Sequence, residues 1–279
     1  KMGCSRESTL FAIGGGVVGD LAGLAASLYF RGINLVQIPT TIVSMVDSAI
    51  GGKTAVNLPN AKNSVGTFYP AKFVVADLEF VDSLPEREFI SGMAEVIKYG
   101  LISDKEFFVF LQSHRDRILS RDANALLQVI EKCIYLKFSH TCADLHDKAG
   151  RRSLLNFGHT FGHAIESLTA YSKYLHGEAI AIGMNFAAMF GEHLGVTKPG
   201  TAEQVREILS DYGLPIKLSE GSELFTEAGL RSAIMLDKKR SSVGVAYVLL
   251  EEVGESVNKS VNINEAIEFF TSTHDALIG

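Results

Sequence analysis

The stretch Asn156-Phe-Gly-His-Thr-Phe-Gly-His163, continued by Ala164-Ile-Glu166 and followed by Leu175-His-Gly-Glu178, holds three of the chain's eight histidines. Such a density of imidazoles asks for a metal. Imidazole nitrogens and carboxylate oxygens are the donors Zn²⁺ takes in catalytic sites, where three protein ligands leave the fourth position for water or substrate. His159 and His163 are four apart, so on a helix both project from one face, and either can point at an ion held against a second element. The turn carrying His176 is that second element. Core or capping histidines are the plainer alternative, weakened by two His-Gly pairs lying so close together.

A carboxylate stands upstream in a comparable setting. Gly92-Met-Ala-Glu-Val-Ile-Lys98 places Glu95 and Lys98 three apart, hence on one face if the segment is helical. The apolar flank of Met93, Val96 and Ile97 predicts that Glu95 is partly buried, and a buried carboxylate needs a partner. Two partners are open: a metal ion, or Lys98 itself in an i, i+3 ion pair.

A second kind of site is written nearer the start. Gly14-Gly-Gly-Val-Val-Gly-Asp20 directly follows a strand-like run and opens the helical stretch from Leu21 to Tyr29. Glycines there let backbone N–H groups approach a pyrophosphate, and the helix N-terminus adds a favourable dipole for the anion. The competing reading is a glycine turn that only packs a helix onto a sheet. The segment from Pro39-Thr-Thr41 through Asp47 and Gly51-Gly-Lys53 to Lys62-Asn63 is mostly too polar and glycine-rich for a core, so it reads as a ligand-facing loop between two strands. Arg31, Lys53, Lys62 and Lys98 gathered near glycine turns, in a chain of net charge -6, point to an anionic small molecule.

These residues need a scaffold. Thr9–Ile13, Ile33–Ile38 and Lys72–Asp77 are short β-rich runs separated by loops and helical stretches, the pattern of a parallel sheet with crossovers. After Pro85 the pattern turns helical. Asn124 to Phe138 sets Leu126, Leu127, Ile130, Cys133 and Ile134 on one stripe; Thr201-Ala-Glu-Gln204 reads as a capping box for a helix that stops at Gly213-Leu-Pro215. Gly244 to Leu250 is the one convincing late strand. The organisation predicted is an α/β part over 1–84 and a mostly helical part over 85–279, and the cleft between two such parts is where ligand sites are favoured.

Composition excludes several function classes. At 279 residues, 47% hydrophobic and 21% charged, the chain is globular and not disordered. Its acidic balance, without a basic arm, argues against a nucleic-acid partner. Cys4, Cys133 and Cys142 are odd in number and lack CxxC spacing, which fits a reducing compartment and the cytoplasm. The most apolar window, Leu10 to Phe30, is too broken by Gly14-Gly-Gly16 and Asp20 for a membrane span.

Taken together, the motifs Gly14–Asp20, Pro39–Thr41, Gly51–Lys53, Lys62-Asn63, Met93–Lys98, Leu155–His163 and His176–Glu178, in this order, resemble the sugar phosphate cyclase family, and within it the 3-dehydroquinate synthases. The resemblance runs over essentially the whole chain. It implies the dehydroquinate synthase-like fold, an incomplete Rossmann-like α/β NAD-binding domain over 1–84 followed by a mainly α-helical metal- and substrate-binding domain over 85–279, working as a homodimer. It implies Glu95, His159 and His176 as ligands of Zn²⁺, with Co²⁺ as the other candidate. It implies an NAD site lined by Gly15, Gly16, Val17, Val18, Gly19, Asp20, Thr40, Thr41, Lys53, Lys62 and the segment Phe80, Val81, Asp82, Ser83. A heptulosonate phosphate substrate would be held by Asp47, Lys53, Asn63, Lys98, Arg152, Asn156 and His163, with Lys238 or Lys239 on its carboxylate or phosphate side. Arg31 would reach the phosphate, across a dimer interface.

The implied reaction explains why one site needs nicotinamide, metal and cations together. Oxidation of a ring alcohol by NAD⁺ acidifies the neighbouring C–H so that phosphate leaves by β-elimination; the hydride then returns, the ring opens, and an intramolecular aldol closes a carbocycle. His163 is the candidate for moving a proton at the hydroxyl, since imidazole titrates near neutral pH. Three other readings stand beside this one: a sister cyclase acting on sedoheptulose 7-phosphate, a metal- and NAD-dependent dehydrogenase of the glycerol dehydrogenase type, and a non-catalytic relative. Two departures from the family pattern stand out. The acidic run before Arg152 reads Asp144-Leu-His-Asp147 within a span that is one residue longer, which leaves the role of Lys137 open. About one strand precedes the glycine turn where the family has further units, so the chain is expected to be an N-terminally shortened piece that keeps metal binding better than NAD binding.

Overall fold

The computed structural model describes residues 3–58, 61–142, 152–219, 224–237, 245–273 and 277–278, with the side chains of 58, 61–64, 236 and 237 outside the description. In chain order the strands and helices begin with β1 (Thr9–Gly14), α1 (Gly16–Leu28), β2 (Asn34–Pro39), β3 (Lys53–Leu58), β4 (Ala61–Phe68), β5 (Phe73–Val74), α2 (Glu79–Asp82) and α3 (Glu86–Ser103). They continue with α4 (Lys105–Ser113), α5 (Arg115–Leu119), α6 (Ala123–Cys142), α7 (His159–Leu168), α8 (His176–His193), α9 (Thr201–Asp211), α10 (Glu227–Asp237), β6 (Val245–Glu252), β7 (Glu255–Val261) and α11 (Ile263–Ser272). The chain divides into two compact units, 1–92 with 120–149, and 93–119 with 150–279.

The first unit is built on a parallel sheet of order β1-β2-β5. β1 and β2 pair from Thr9 opposite Asn34 to Gly14 opposite Pro39, and α1 is the crossover between them. Ala12, Ala26, Ile33 and Leu35 form the core under α1. A Cβ at Gly19 would stand 2.6 Å from the Gln37 side chain, so the helix lies this close to the sheet only because no side chain intervenes. The strand expected over Lys72–Asp77 is shorter, Phe73–Val74, although the amides of Lys72 and Val75 still donate to Leu35 and Gln37 at 2.8 and 2.9 Å.

The polar run expected as a loop up to Asn63 is largely structured. A π-helical turn spans Ser44–Ser48, and β3 and β4 form an antiparallel hairpin in which Thr54 faces Thr67 and Val56 faces Val65. Those β-branched cross-strand pairs stabilise the hairpin despite the surrounding glycines. α6 belongs to this unit, and its buried stripe is Leu126, Val129, Ile130, Cys133 and Leu136. Leu127, expected on that stripe, is 53% exposed, because one residue turns the helix by about 100° and carries it off the face set by Leu126, Ile130 and Cys133.

The second unit is helical with one β-hairpin. Its core joins Phe161, Ile165, Ile182, Phe186 and Phe190 of α7 and α8 to Tyr247, Leu249, Phe269 and Phe270. The late strand appears as Val245–Glu252 and pairs with β7. α9 begins at Thr201 and ends before Gly213, as expected, but the capping box does not form: Gly200, at φ 88°, is the N-cap and Thr201 is already helical. α7 and α8 approach to backbone contact, since a Cβ at Gly183 would meet the carbonyl oxygen of Gly158 at 2.1 Å. This closeness fixes where the first residues of both helices point. Among the described residues no helix is long and apolar enough to cross a membrane.

Candidate active site

Three side chains of the second unit converge. Glu95 comes from α3, His159 is the first residue of α7 and His176 the first of α8, and one ligand atom from each lies within 4.8 Å of the others. Glu95 Oε1 is 3.4 Å from His159 Nε2 and 3.5 Å from His176 Nε2. It is fully buried and has no hydrogen-bond partner among the described residues. A buried carboxylate oxygen left in this way costs free energy unless something else satisfies it. The donor set, two imidazole nitrogens and one carboxylate oxygen, suits a divalent metal with an open position. Both rings are fixed from behind: His159 Nδ1–H donates to the Phe157 carbonyl at 3.0 Å, and His176 Nδ1 lies 3.1 Å from Glu166 Oε1. Each Nε2 is thereby turned toward Glu95.

Burial opposes ionisation of Glu95, but Lys98 and the two imidazoles outweigh it and hold the carboxyl well below the usual carboxylate range. Burial, reinforced by Lys98, drives His159 well below the ordinary imidazole value. Burial works against the charge on His176 too, yet Glu166 and Glu95 raise it to about 9. The triad therefore offers a charged carboxylate and one neutral imidazole without rearrangement. Glu95 is 1% exposed and His176 33%, so the group opens on the His176 side.

The two partners left open for Glu95 do not exclude each other. Lys98 is buried and its ammonium donates to Glu95 Oε2, while Oε1 faces the histidines. His163 stacks edge-on against His159 at 5.2 Å between ring centroids and lies 6.3 Å from His176, beside the triad but not in it. Arg152 and Asn156 bound the 3₁₀ turn Arg152–Asn156, which leads through Phe157 and left-handed Gly158 into His159. Arg152 is buried and Asn156 exposed. Glu166 closes the sequence motif with no role assigned by it; its spacing of seven from His159, two helical turns, is the signal that puts it on the same face.

The glycine-turn residues belong to the first unit. Gly15 is the N-cap of α1 and Gly16 its first residue; a Cβ on them would meet Thr41 at 3.3 Å and Ser48 at 3.0 Å. Val17 and Val18 are exposed and Gly19 is buried. Thr40 is half-buried, and the Thr41 hydroxyl accepts from the Ser44 amide, capping the turn that carries Asp47. Asp47 accepts a 2.7 Å bond from the Nζ of Lys137, the residue whose role the sequence left open. Lys53 is exposed at the start of β3. Arg31 is exposed and follows Phe30 in the left-handed region, φ 65° and 49°, a strained conformation for non-glycine residues. In the Phe80–Ser83 segment Val81 is buried, its carbonyl accepting from Arg121 at 2.8 Å, while Asp82 and Ser83 are exposed. Lys62 and Asn63 lie on β4 with side chains outside the description, and Lys238, Lys239, Asp144 and Asp147 lie outside the described residues.

Asp20 carries a pH signature. Burial, with the nearby charge of Asp47, raises its pKa to about 6 from an ordinary 3.8. Ionising it costs more in the folded than in the unfolded chain, so stability falls as pH rises through the window from about 3.8 to about 6. Asp20→Asn is therefore expected to raise the melting temperature at pH 7 and to change it far less near about pH 3, where Asp20 is mostly protonated in both the folded and the unfolded chain. Thermal unfolding at the two pH values checks this; a stabilisation equal at both would remove the titration as its cause.

The family models "3-dehydroquinate synthase N-terminal" and "3-dehydroquinate synthase C-terminal" match residues 1–91 and 92–240. The 3-dehydroquinate synthase of Thermodesulfovibrio yellowstonii is 46% identical over 255 residues, 91% of this chain and 70% of the relative. The chain belongs to the 3-dehydroquinate synthase family. The same enzyme of Geobacter sp. strain M21 is 44% identical over 249 residues, 89% of this chain and 67% of that one. Among solved structures, the 2-epi-5-epi-valiolone synthase ValA of Streptomyces hygroscopicus, with NAD⁺ and Zn²⁺ bound, superposes with a TM-score of 0.87 at 28% identity, covering 98% of this chain and 76% of its own. A 2-deoxy-scyllo-inosose synthase complexed with carbaglucose-6-phosphate, NAD⁺ and Co²⁺ gives 0.78 at 27% identity, covering 97% and 76%. The glycerol dehydrogenase of Schizosaccharomyces pombe, at 16% identity, 0.64, and 98% and 71% coverage, shares the fold alone. The dehydroquinate synthase-like fold expected from the motifs is thus the one observed.

Proposed function

We propose that this chain is a phosphate-eliminating carbon–oxygen lyase, converting 3-deoxy-D-arabino-heptulosonate 7-phosphate into 3-dehydroquinate and phosphate in the shikimate pathway. The observation that carries the reading is the buried Glu95 Oε1 facing His159 Nε2 and His176 Nε2, in a chain 46% identical to a 3-dehydroquinate synthase. Glu95, His159 and His176 would hold one Zn²⁺ or Co²⁺, and the glycine turn would hold NAD. When bound, the metal supplies Lewis acidity toward substrate hydroxyls and NAD⁺ a hydride acceptor that is restored within the turnover.

The chain's own residues do the rest. Lys98 neutralises Glu95 and offers its remaining donors to the substrate, while Lys53, Asn63, Arg152, Asn156 and Lys238 bind its carboxylate, hydroxyls and phosphate. Arg31, in a homodimer, reaches the phosphate of the partner protomer's substrate. Cations placed before charge builds on the departing phosphate stabilise the transition state without reorganising. His163, beside the triad, moves the proton at the hydroxyl to be oxidised. The free cysteines Cys4, Cys133 and Cys142 fit a cytoplasmic enzyme.

Incubation with the heptulosonate phosphate and sub-stoichiometric NAD⁺ tests the reading. Phosphate release over many turnovers per NAD⁺, without accumulation of NADH, is expected. NADH accumulating in step with oxidised product would make the chain a dehydrogenase, and preferential turnover of sedoheptulose 7-phosphate would make it a sister cyclase.

A further inference from the structure

His176 differs from its neighbours in the way it is held. It is the first residue of α8 and a third exposed, so packing alone does not set its ring. Its tether is Glu166, a buried carboxylate on α7 whose Oε1 lies 3.1 Å from His176 Nδ1. His159 is backed by a neutral carbonyl, that of Phe157, at a comparable 3.0 Å. The two imidazoles of the triad therefore have unlike support, one a dipole and the other an anion.

We propose that Glu166 is a positioning residue which, through His176, sets the affinity and ligand field of the divalent-cation site; this rests on reading Glu95, His159 and His176 as that site. A neutral imidazole carries its proton on one nitrogen and its lone pair on the other. A carboxylate at Nδ1 holds the proton there and leaves the Nε2 lone pair directed at Glu95 and the cation between them. It also raises the basicity of the ring, making it a stronger donor than the same ring behind a carbonyl. The placement follows from α7 itself: His159 and Glu166 are seven residues apart on one stripe, and the close packing at Gly158 and Gly183 brings that stripe against the start of α8.

Co²⁺ titration of the full chain, followed by visible absorption and by competition with a chelator, tests it. Glu166→Gln keeps the shape and an acceptor oxygen but removes the charge; it should weaken Co²⁺ binding by about 10–100-fold, the scale for losing such an outer partner, and change the visible bands. Glu166→Asp, which keeps the charge on a shorter arm, should recover part of the affinity, and it carries the comparison if the Gln variant does not fold. Glu178→Gln is the control, because Glu178 caps the same helix through the Leu175 amide; it should leave both readouts unchanged. Native affinity and spectrum in Glu166→Gln, with the native chain binding Co²⁺, would overturn the inference alone. A native chain that binds no Co²⁺ would overturn the triad as a metal site and the inference with it.

Discussion

Replacing His176 with Ala is expected to remove the divalent cation and the turnover together. The variant takes away one of three donors at the open side of the group, where no other described histidine, aspartate or glutamate completes a set of three. Outer partners of metal ligands are alone worth about 10–100-fold in affinity or activity, so loss of a ligand should exceed that range. His176 gives a cleaner test than Glu95. Glu95 binds the ammonium of Lys98, and both are almost wholly buried. Removing the carboxylate would strand a buried cation at a cost of about 3–5 kcal/mol, and a misfolded variant also loses metal. His176 is partly exposed, so His176→Ala should keep its helical circular dichroism while elemental analysis shows the metal gone. Full metal occupancy in the folded variant would exclude His176 as a ligand.

How far the sequence foretold this group depends on what kind of signal each residue leaves. Burial of Glu95 was legible because Met93, Val96 and Ile97 surround it with apolar side chains at helical spacing. The i, i+4 spacing of His159 and His163 was equally legible, but it could not say which ring points inward. Gly158 decides this: its left-handed conformation starts α7 at His159, whose Nε2 is the one within reach of Glu95. β1 and β2 were near their expected bounds, whereas the β3–β4 hairpin was hidden by glycines and polar residues that score against strands, although Thr54, Val56, Val65 and Thr67 pair across it. The bond between Asp47 and Lys137 joins residues 90 apart, a contact made by the packing of α6 and invisible to any local pattern. Glu166 sat in plain view, but an acidic residue on a helix declares a role only when its neighbour across the packing is known.

Arg152→Ala is expected to lower kcat/KM by roughly 30- to 1,000-fold, about 2–4 kcal/mol, the scale for removing one preorganised electrostatic donor. The proposed role is to hold a negatively charged group of the substrate, and an arginine does so with a planar fork of donors. Arg152 is buried at the head of the turn that leads into His159, so its loss can also act by displacing His159. Arg152→Lys separates the two effects. Lysine keeps the positive charge but not the paired N–H geometry, so a binding role predicts that Lys recovers part of the lost kcat/KM while metal content stays native in both variants. A purely architectural role predicts that metal content and melting temperature fall with activity, because the disturbance would pass through Gly158 to His159. Unchanged kcat/KM in Arg152→Ala would remove Arg152 from the substrate site. Metal content and kcat/KM measured together separate the two side chains: His176→Ala must lose the metal to lose the chemistry, and Arg152→Ala must lose the chemistry with the metal in place.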